Sequence, residues 1–175
     1  RCKSSTRYSL TRPGSTSVSE PTNHDRLSPL SGVLSEADSE TSLGQRVTVS
    51  ARELTGLNLL VVRGDKTDPA FLQHTEQALG MPLPLAPSTF TDDDQQKVLW
   101  ISPDEWWVLC PDQSKQTLLQ QLQQQPAHLF MQVLDNSGSL TALELTGTNH
   151  LTVLRHLSSF DVETMPDGAC INTAV

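Results

Sequence analysis

The sequence is poor in aromatic and basic residues and has no long apolar run. Aromatic residues make up 5% of the 175 residues, and 12 basic residues against 20 acidic ones give a formal net charge of −8. Because phosphate binding needs clustered Lys and Arg, this balance argues against a nucleic-acid partner. The longest apolar stretch, residues 57–62, is interrupted by Asn58. It falls well short of the roughly 18 residues that cross a membrane, so no membrane partner is expected.

Cysteine is also scarce. Cys2, Cys110 and Cys170 are odd in number and far apart, and no CxxC is present. The sequence therefore carries no metal-binding or redox motif of that kind. This usage predicts a reducing, cytoplasmic setting. Neither Cys110 nor Cys170 has a neighbour that would lower a thiol pKa, so both are interpreted as inert thiols.

The motifs of common enzyme sites are missing. The sequence contains no GxGxxG, GxxxxGKS or GxSxG. Asp104 and Glu105 are adjacent on a predicted turn, where they would diverge, whereas a general acid and base must converge. The acidic run 92–94 is interpreted as solvated. No metal-ligand spacing relates the five histidines, which are His24, His74, His128, His150 and His156. We therefore expect no catalytic, cofactor-binding or metal-binding residue in this chain.

Composition divides the chain into three parts. Residues 1–26 are dominated by Ser, Thr, Pro and Arg and cannot bury enough apolar surface to offset the entropy of ordering. We predict a flexible tail there, in preference to a transit peptide. Residues 27–44 add a few apolar anchors, among them Pro29 and Leu30, and are predicted to be an extended partner-binding arm. Residues 45–175 are predicted to be a single α+β domain that continues beyond residue 175.

Local signals predict strand pairs followed by helices. Asp68 is a good N-cap, Pro69 suits the first helical position, and Gly80 supplies a left-handed stop, so a helix is predicted between them. Residues 81–94 are predicted to be a surface loop. The other predicted elements are strands at 46–51, 57–63, 97–101, 106–110, 128–134 and 140–145, and helices at 114–124 and 148–157. The strands 97–101 and 106–110 form a hairpin, and 128–134 is expected to pair with 140–145. This order predicts an α+β fold with mainly antiparallel sheets covered by helices.

All three tryptophans of the chain lie in residues 100–107. Trp106 and Trp107 are neighbours in a predicted strand, so they point to opposite faces. One of them can enter the core with Trp100. The other must face another layer, solvent or a partner, where a large aromatic side chain favours an interface. Both Trp106 and Trp107 are therefore candidate partner contacts, together with Pro29 and Leu30.

Several segments resemble one protein family. Residues 99–109, LWISPDEWWVL, resemble the LWLGPDEWLL segment of the gamma subunit of bacterial heterotetrameric sarcosine oxidase. Residues 133–137 are similar to its VVDVS, and residues 145–162 to its LSGPRARDVLAKGCPLDL. Residues 166–173 are similar to its FPxGxCAQT, and residues 28–30 match its short SPL. The later matches follow the family's order.

A more distant resemblance is to the folate-binding domain of the glycine-cleavage T-protein, an aminomethyltransferase. Residues 145–162 are similar to its LTGxxAxxFLxxxxSxDV run. This chain departs from the pattern at Thr148, where Pro is usual, and at Asn149 and His150. The acidic residue with which T-proteins hold folate would correspond to a position after residue 175.

These resemblances imply a fold and a role. The fold would resemble the aminomethyltransferase folate-binding domain. The role would be that of a non-catalytic interaction subunit, without a cofactor of its own, in an oxidase whose alpha, beta and delta subunits hold FAD, FMN, NAD, tetrahydrofolate and zinc. That complex converts sarcosine to glycine and hydrogen peroxide and transfers a one-carbon unit to tetrahydrofolate. The alternatives are a stand-alone folate-binding, aminomethyltransferase-like enzyme and an unrelated α+β domain. The amine substrate is not fixed by this chain.

Overall fold

A computed structural model describes residue 30 and residues 39–40, 46–47, 49–166 and 168–173 of the chain. The predicted tail at 1–26 and most of the predicted arm lie outside the described residues. The described strands are β1 (Ser39–Glu40), β2 (Arg46–Val47), β3 (Ser50–Glu53), β4 (Leu57–Gly64), β5 (Phe90–Asp92), β6 (Lys97–Ser102), β7 (Glu105–Pro111), β8 (Met131–Asp135) and β9 (Leu143–Thr146). The described helices are α1 (Pro69–Leu79), α2 (Asp112–Gln123), α3 (His150–Leu157) and a short 3-10 helix (Val162–Thr164).

A five-stranded antiparallel sheet forms the centre of the structure. Its strand order is β5-β6-β7-β4-β8. The strand predicted at 57–63 is confirmed as β4, in which five successive residues, 58–62, are buried. The predicted hairpin is confirmed as β6 and β7, which pair across the turn at Pro103 and Asp104. The predicted α+β fold with mainly antiparallel sheets is therefore correct.

Helix α1 forms where its capping residues predict it. The Asp68 carboxylate accepts a hydrogen bond from the Ala70 N–H at 2.8 Å, and Pro69 is the first helical residue. At the other end, Gly80 adopts φ 73°, and its N–H donates to the Glu76 carbonyl at 2.8 Å. Each cap pairs a backbone group that a helix end leaves unpaired. The termini of α1 are therefore set by local chemistry.

The hydrophobic core lies between helices α1 and α2 and one face of the central sheet. The Trp106 ring packs on Phe71, with 5.4 Å between ring centroids. Gly64 is required here, because a Cβ atom would overlap the Phe71 ring. The buried core residues are Leu60, Val62, Phe71, Leu79, Met81, Leu83, Val98, Trp106, Val108, Cys110, Leu118, Leu122, Leu129 and Met131.

The pairing of the later strands differs from the prediction. Strands β8 and β9 do not form a hairpin: β8 pairs with β4, and β9 pairs with β3 in a separate two-stranded sheet. Alternation of apolar and polar residues defines the faces of a strand but not its partner, so the sequence pattern could not distinguish these arrangements. The predicted strand at 46–51 divides into β2 and β3. The predicted loop at 81–94 contains the short strand β5, which pairs with β6.

Helix α3 is present as predicted, but its apolar stripe is not buried. Leu151 is 39% exposed and Leu157 is 52% exposed. None of the residues of α3 is fully buried. Among the described residues, every helix is too short or too polar to span a membrane.

Candidate partner-binding surface

The two adjacent tryptophans occupy opposite faces of β7. Trp106 is fully buried on the helix-covered face, where its Nε1–H donates to the Pro84 carbonyl at 2.8 Å. Trp107 is half-buried on the other face and donates from Nε1 to Oε1 of Glu105 at 2.9 Å. The prediction of Trp106 as a partner contact is wrong, because its ring does not reach the surface. Trp107 as a partner contact stays a prediction.

The second face of the central sheet is also apolar. The register places Val61 beside Trp107 on β7 and Leu134 on β8. We call this surface the outer sheet face, and its apolar residues are Leu57, Leu59, Val61, Leu99, Trp107, Leu109 and Leu134. None of them belongs to the buried core cluster of the described residues. An antiparallel sheet with one solvated face normally carries polar residues there, so this composition indicates a surface that can be covered by another layer.

Burial on the outer sheet face falls from its centre to its margins. Leu59 is 4% exposed and Val61 is 7% exposed, whereas Leu57 is 36% and Leu134 is 47% exposed. Trp107 lies half-buried between these two levels. Because Leu59 and Val61 are already buried within the chain, only the margin of this face, at Leu57 and Leu134, is open to a partner.

A charged cluster lies at one end of this face. Nη2 of Arg63 lies 2.6 Å from Oδ2 of Asp104, and Nε of Arg63 lies 3.5 Å from Oε2 of Glu105. The two carboxylates converge on one guanidinium, so the prediction that they diverge is wrong. The Ser102 hydroxyl and the Arg63 guanidinium hold the pKa of Asp104 below its usual value. An ionised carboxylate of this kind does not meet the requirement for a general acid.

A groove opens beside the charged cluster, where β4 ends and β8 begins. Its volume is about 850 Å³. Phe130 stands in its wall with 92% of its surface exposed, although phenylalanine is among the residues most often buried. The groove is lined by Arg63, Gly64, Asp65, Lys66, Thr67, Pro103, Asp104, Phe130, Met131 and Gln132.

In the part of the chain that the structure describes, the other histidines and cysteines lie apart from one another. A ring nitrogen of His74 contacts the Leu122 carbonyl, and a ring nitrogen of His150 contacts the Gly147 carbonyl. Burial raises the pKa of the Cys110 thiol, and also that of Cys170, so neither is activated as a thiolate. Within residues 49–166 and 168–173, no three His, Cys, Asp or Glu side chains lie together as a metal site would require.

Sequence reasoning identified part of this surface. Pro29 lies outside the described residues, and Leu30 is a half-buried turn residue, so the predicted arm stays a prediction. Phe130 and the outer sheet face were missed. The alternation of Leu57, Leu59 and Val61 with the core residues of β4 was a usable signal, because a strand with apolar residues on both faces needs two covering layers.

The chain is similar to known proteins in sequence and in fold. The family model described as the sarcosine oxidase gamma subunit family matches residues 63–175, which is 113 of the 175 residues. A solved chain of the heterotetrameric sarcosine oxidase from Corynebacterium sp. U-96, in complex with pyrrole 2-carboxylate, has a similar fold with a TM-score of 0.65. That match has 24% sequence identity and covers 82% of this chain and 69% of the solved one. None of the curated proteins matches the sequence significantly.

Proposed function

Because the chain belongs to the sarcosine oxidase gamma subunit family, we propose that it is an interaction subunit of a multi-subunit, flavin-dependent sarcosine oxidase. The observation that supports this proposal is the margin of the outer sheet face, where Leu57 and Leu134 are exposed and Trp107 is half-buried. Accessible apolar side chains of this kind favour packing against a partner.

The proposal assigns the chemistry to other subunits. In this reading the alpha, beta and delta subunits hold FAD, FMN, NAD, tetrahydrofolate and zinc. Together they oxidise sarcosine to glycine with formation of hydrogen peroxide and transfer of a one-carbon unit to tetrahydrofolate. This chain itself is proposed to be non-catalytic and to act in the cytoplasm. The Cys110 thiol supports that assignment, because burial raises its pKa and it is therefore not activated for nucleophilic attack.

The test is co-expression of the full chain with the larger subunits of the oxidase from the same source. We expect the chain to elute with them in one large species that carries flavin absorbance. A colourless chain that elutes alone would contradict the proposal. Titration of that isolated chain with tetrahydrofolate would then test the alternative, a stand-alone folate-binding, aminomethyltransferase-like enzyme.

A pair of variants tests the surface itself. Trp107→Ala removes the largest ring of the outer sheet face and is expected to weaken association at least about tenfold, as truncation of a central aromatic contact does. Leu85→Ala is the control, because Leu85 is an exposed apolar residue, 45% accessible, on the loop after α1. Equal association of both variants with the larger subunits would exclude the outer sheet face as the interface.

A further inference from the structure

The central sheet has two edges, and the described residues give the usual protection to only one of them. Strand β5 is three residues long and ends at Asp92, followed by Asp93 and Asp94. A short strand with adjacent charges is a usual defence of a sheet edge. Strand β8, Met131–Asp135, has five residues, no Lys or Pro, and no register shift in its pairing with β4. Its outer edge therefore lacks the usual protection, although the Met131 carbonyl at its start accepts a hydrogen bond from Nε2 of Gln125 at 3.3 Å.

The register shows which backbone groups face outward on β8. The N–H of Asn136 donates to the Leu59 carbonyl at 2.9 Å. Because such pairs recur at every second residue in an antiparallel ladder, Leu134 and Gln132 also bond to β4. The N–H and C=O groups of Val133 point away from β4. No described residue forms a backbone hydrogen bond with them.

The groove lies at the start of this open edge. Phe130 directly precedes β8 and offers an exposed ring. The acidic groups of the groove are occupied: Asp65 accepts from the Thr67 N–H and hydroxyl, and Asp104 is held by Arg63. Lys66 has no acidic partner within ion-pair distance among the described residues. The groove thus offers an apolar contact and an unpaired positive charge.

We propose that an extended segment of a larger subunit adds to the outer edge of β8 as a sixth strand. The segment places an apolar side chain against Phe130 and an acidic side chain near Lys66. The backbone groups of Val133 supply hydrogen bonds, and the groove supplies selectivity, which is how strand addition divides affinity and specificity. This inference rests on the proposed function, since it names the element through which the partner binds.

Two variants separate the backbone contact from the side-chain contact. Val133→Pro removes an N–H that β4 does not use, and proline is tolerated on edge strands where the N–H faces outward. Phe130→Ala removes an exposed ring and should leave the folded chain intact. We expect each variant to weaken association with the larger subunits at least about tenfold, while Leu85→Ala associates as the original chain does. Circular dichroism shows whether the Val133→Pro variant is folded. If it is not folded, the Phe130→Ala variant alone tests the proposal.

Amide hydrogen exchange of the co-expressed complex gives the direct measurement. In the isolated chain the Val133 amide should exchange quickly, and in the complex it should be strongly protected. A complex in which this amide exchanges freely and Phe130→Ala assembles normally would overturn strand addition and leave the proposed function standing. Failure of the original chain to form any complex would overturn both. A homodimer that protects Val133 in the isolated chain would show that the occupant is a second copy, and would also overturn the proposal.

Discussion

The two adjacent tryptophans give a matched test of the fold. Trp106→Phe removes the Nε1–H that bonds to the Pro84 carbonyl and leaves a buried acceptor unpaired, which costs about 1–3 kcal/mol. The smaller ring also leaves a cavity beside Phe71, which adds about 1 kcal/mol at about 24 cal/mol per Å³. We therefore expect the free energy of unfolding to fall by about 2–4 kcal/mol, the sum of these two contributions.

Trp107→Phe is the control. Its Nε1–H bonds to Glu105 at a part-buried position, where water can replace the lost partner. The expected loss is less than about 1 kcal/mol. Urea unfolding followed by far-ultraviolet circular dichroism measures both variants, because tryptophan fluorescence would change with the substitutions themselves. Equal losses for the two variants would refute the assignment of Trp106 to the core and Trp107 to the outer sheet face.

Three further predictions follow from the packing and the ionisable groups. Gly64→Ala should destabilise the chain by about 1–3 kcal/mol in the same urea assay, because its Cβ would overlap the Phe71 ring; an unchanged midpoint would contradict that packing. Partial burial alone would raise the pKa of Asp135, but Lys115 at 2.8 Å and the neighbouring hydrogen bonds lower it. Since a lowered pKa in the folded state means that the native state favours the carboxylate, this contribution is present above the unfolded pKa and is lost as pH falls through the folded value. Asp135→Asn should therefore reduce stability at neutral pH and flatten its loss on acidification, as measured by unfolding at a series of pH values. In a background with both Cys2→Ser and Cys170→Ser, the buried Cys110 thiol should react with a thiol reagent only after urea unfolding, and reaction at full rate in the folded chain would contradict its burial.

Local chemistry made some elements predictable. Helix α1 begins and ends where Asp68, Pro69 and Gly80 place its boundaries, because capping involves only neighbouring backbone groups. The β6–β7 hairpin is similarly determined by its short turn. These elements could be derived from the sequence without knowledge of the rest of the fold.

Non-local pairing was not predictable in the same way. Strand β9 follows β8 in the chain but pairs with β3, and the energy that favours that choice comes from the assembled sheets. The residues of the candidate surface were also not predictable from the sequence pattern alone. Alternation predicts that one of Trp106 and Trp107 faces outward, but only the register with Val62 and the packing on Phe71 decide which one. The exposure of Phe130 runs against the usual preference of its residue type, so no sequence rule identifies it.

Burial is distributed unequally along the chain, and this bears on its proposed role. None of the described residues after Met131 is fully buried. Strands β3 and β9 form only a two-stranded sheet, joined on its surface by Arg52 and Glu144 at 2.7 Å. An isolated pair of strands is marginally stable in water, and an exposed ion pair adds only about 0.2–1 kcal/mol.

The exposed leucines of β9 and α3 offer apolar area that a partner could bury. They include Leu143 on β9, 48% exposed, and Leu151 and Leu157 on α3. Burial of apolar area contributes about 25 cal/mol per Å². The hydrophobic core lies beneath α1 and α2, so it contributes little to the stability of β9 and α3. A partner that packs on the exposed leucines would therefore stabilise β9 and α3 more than the core does. We therefore expect association to stabilise residues 143–157.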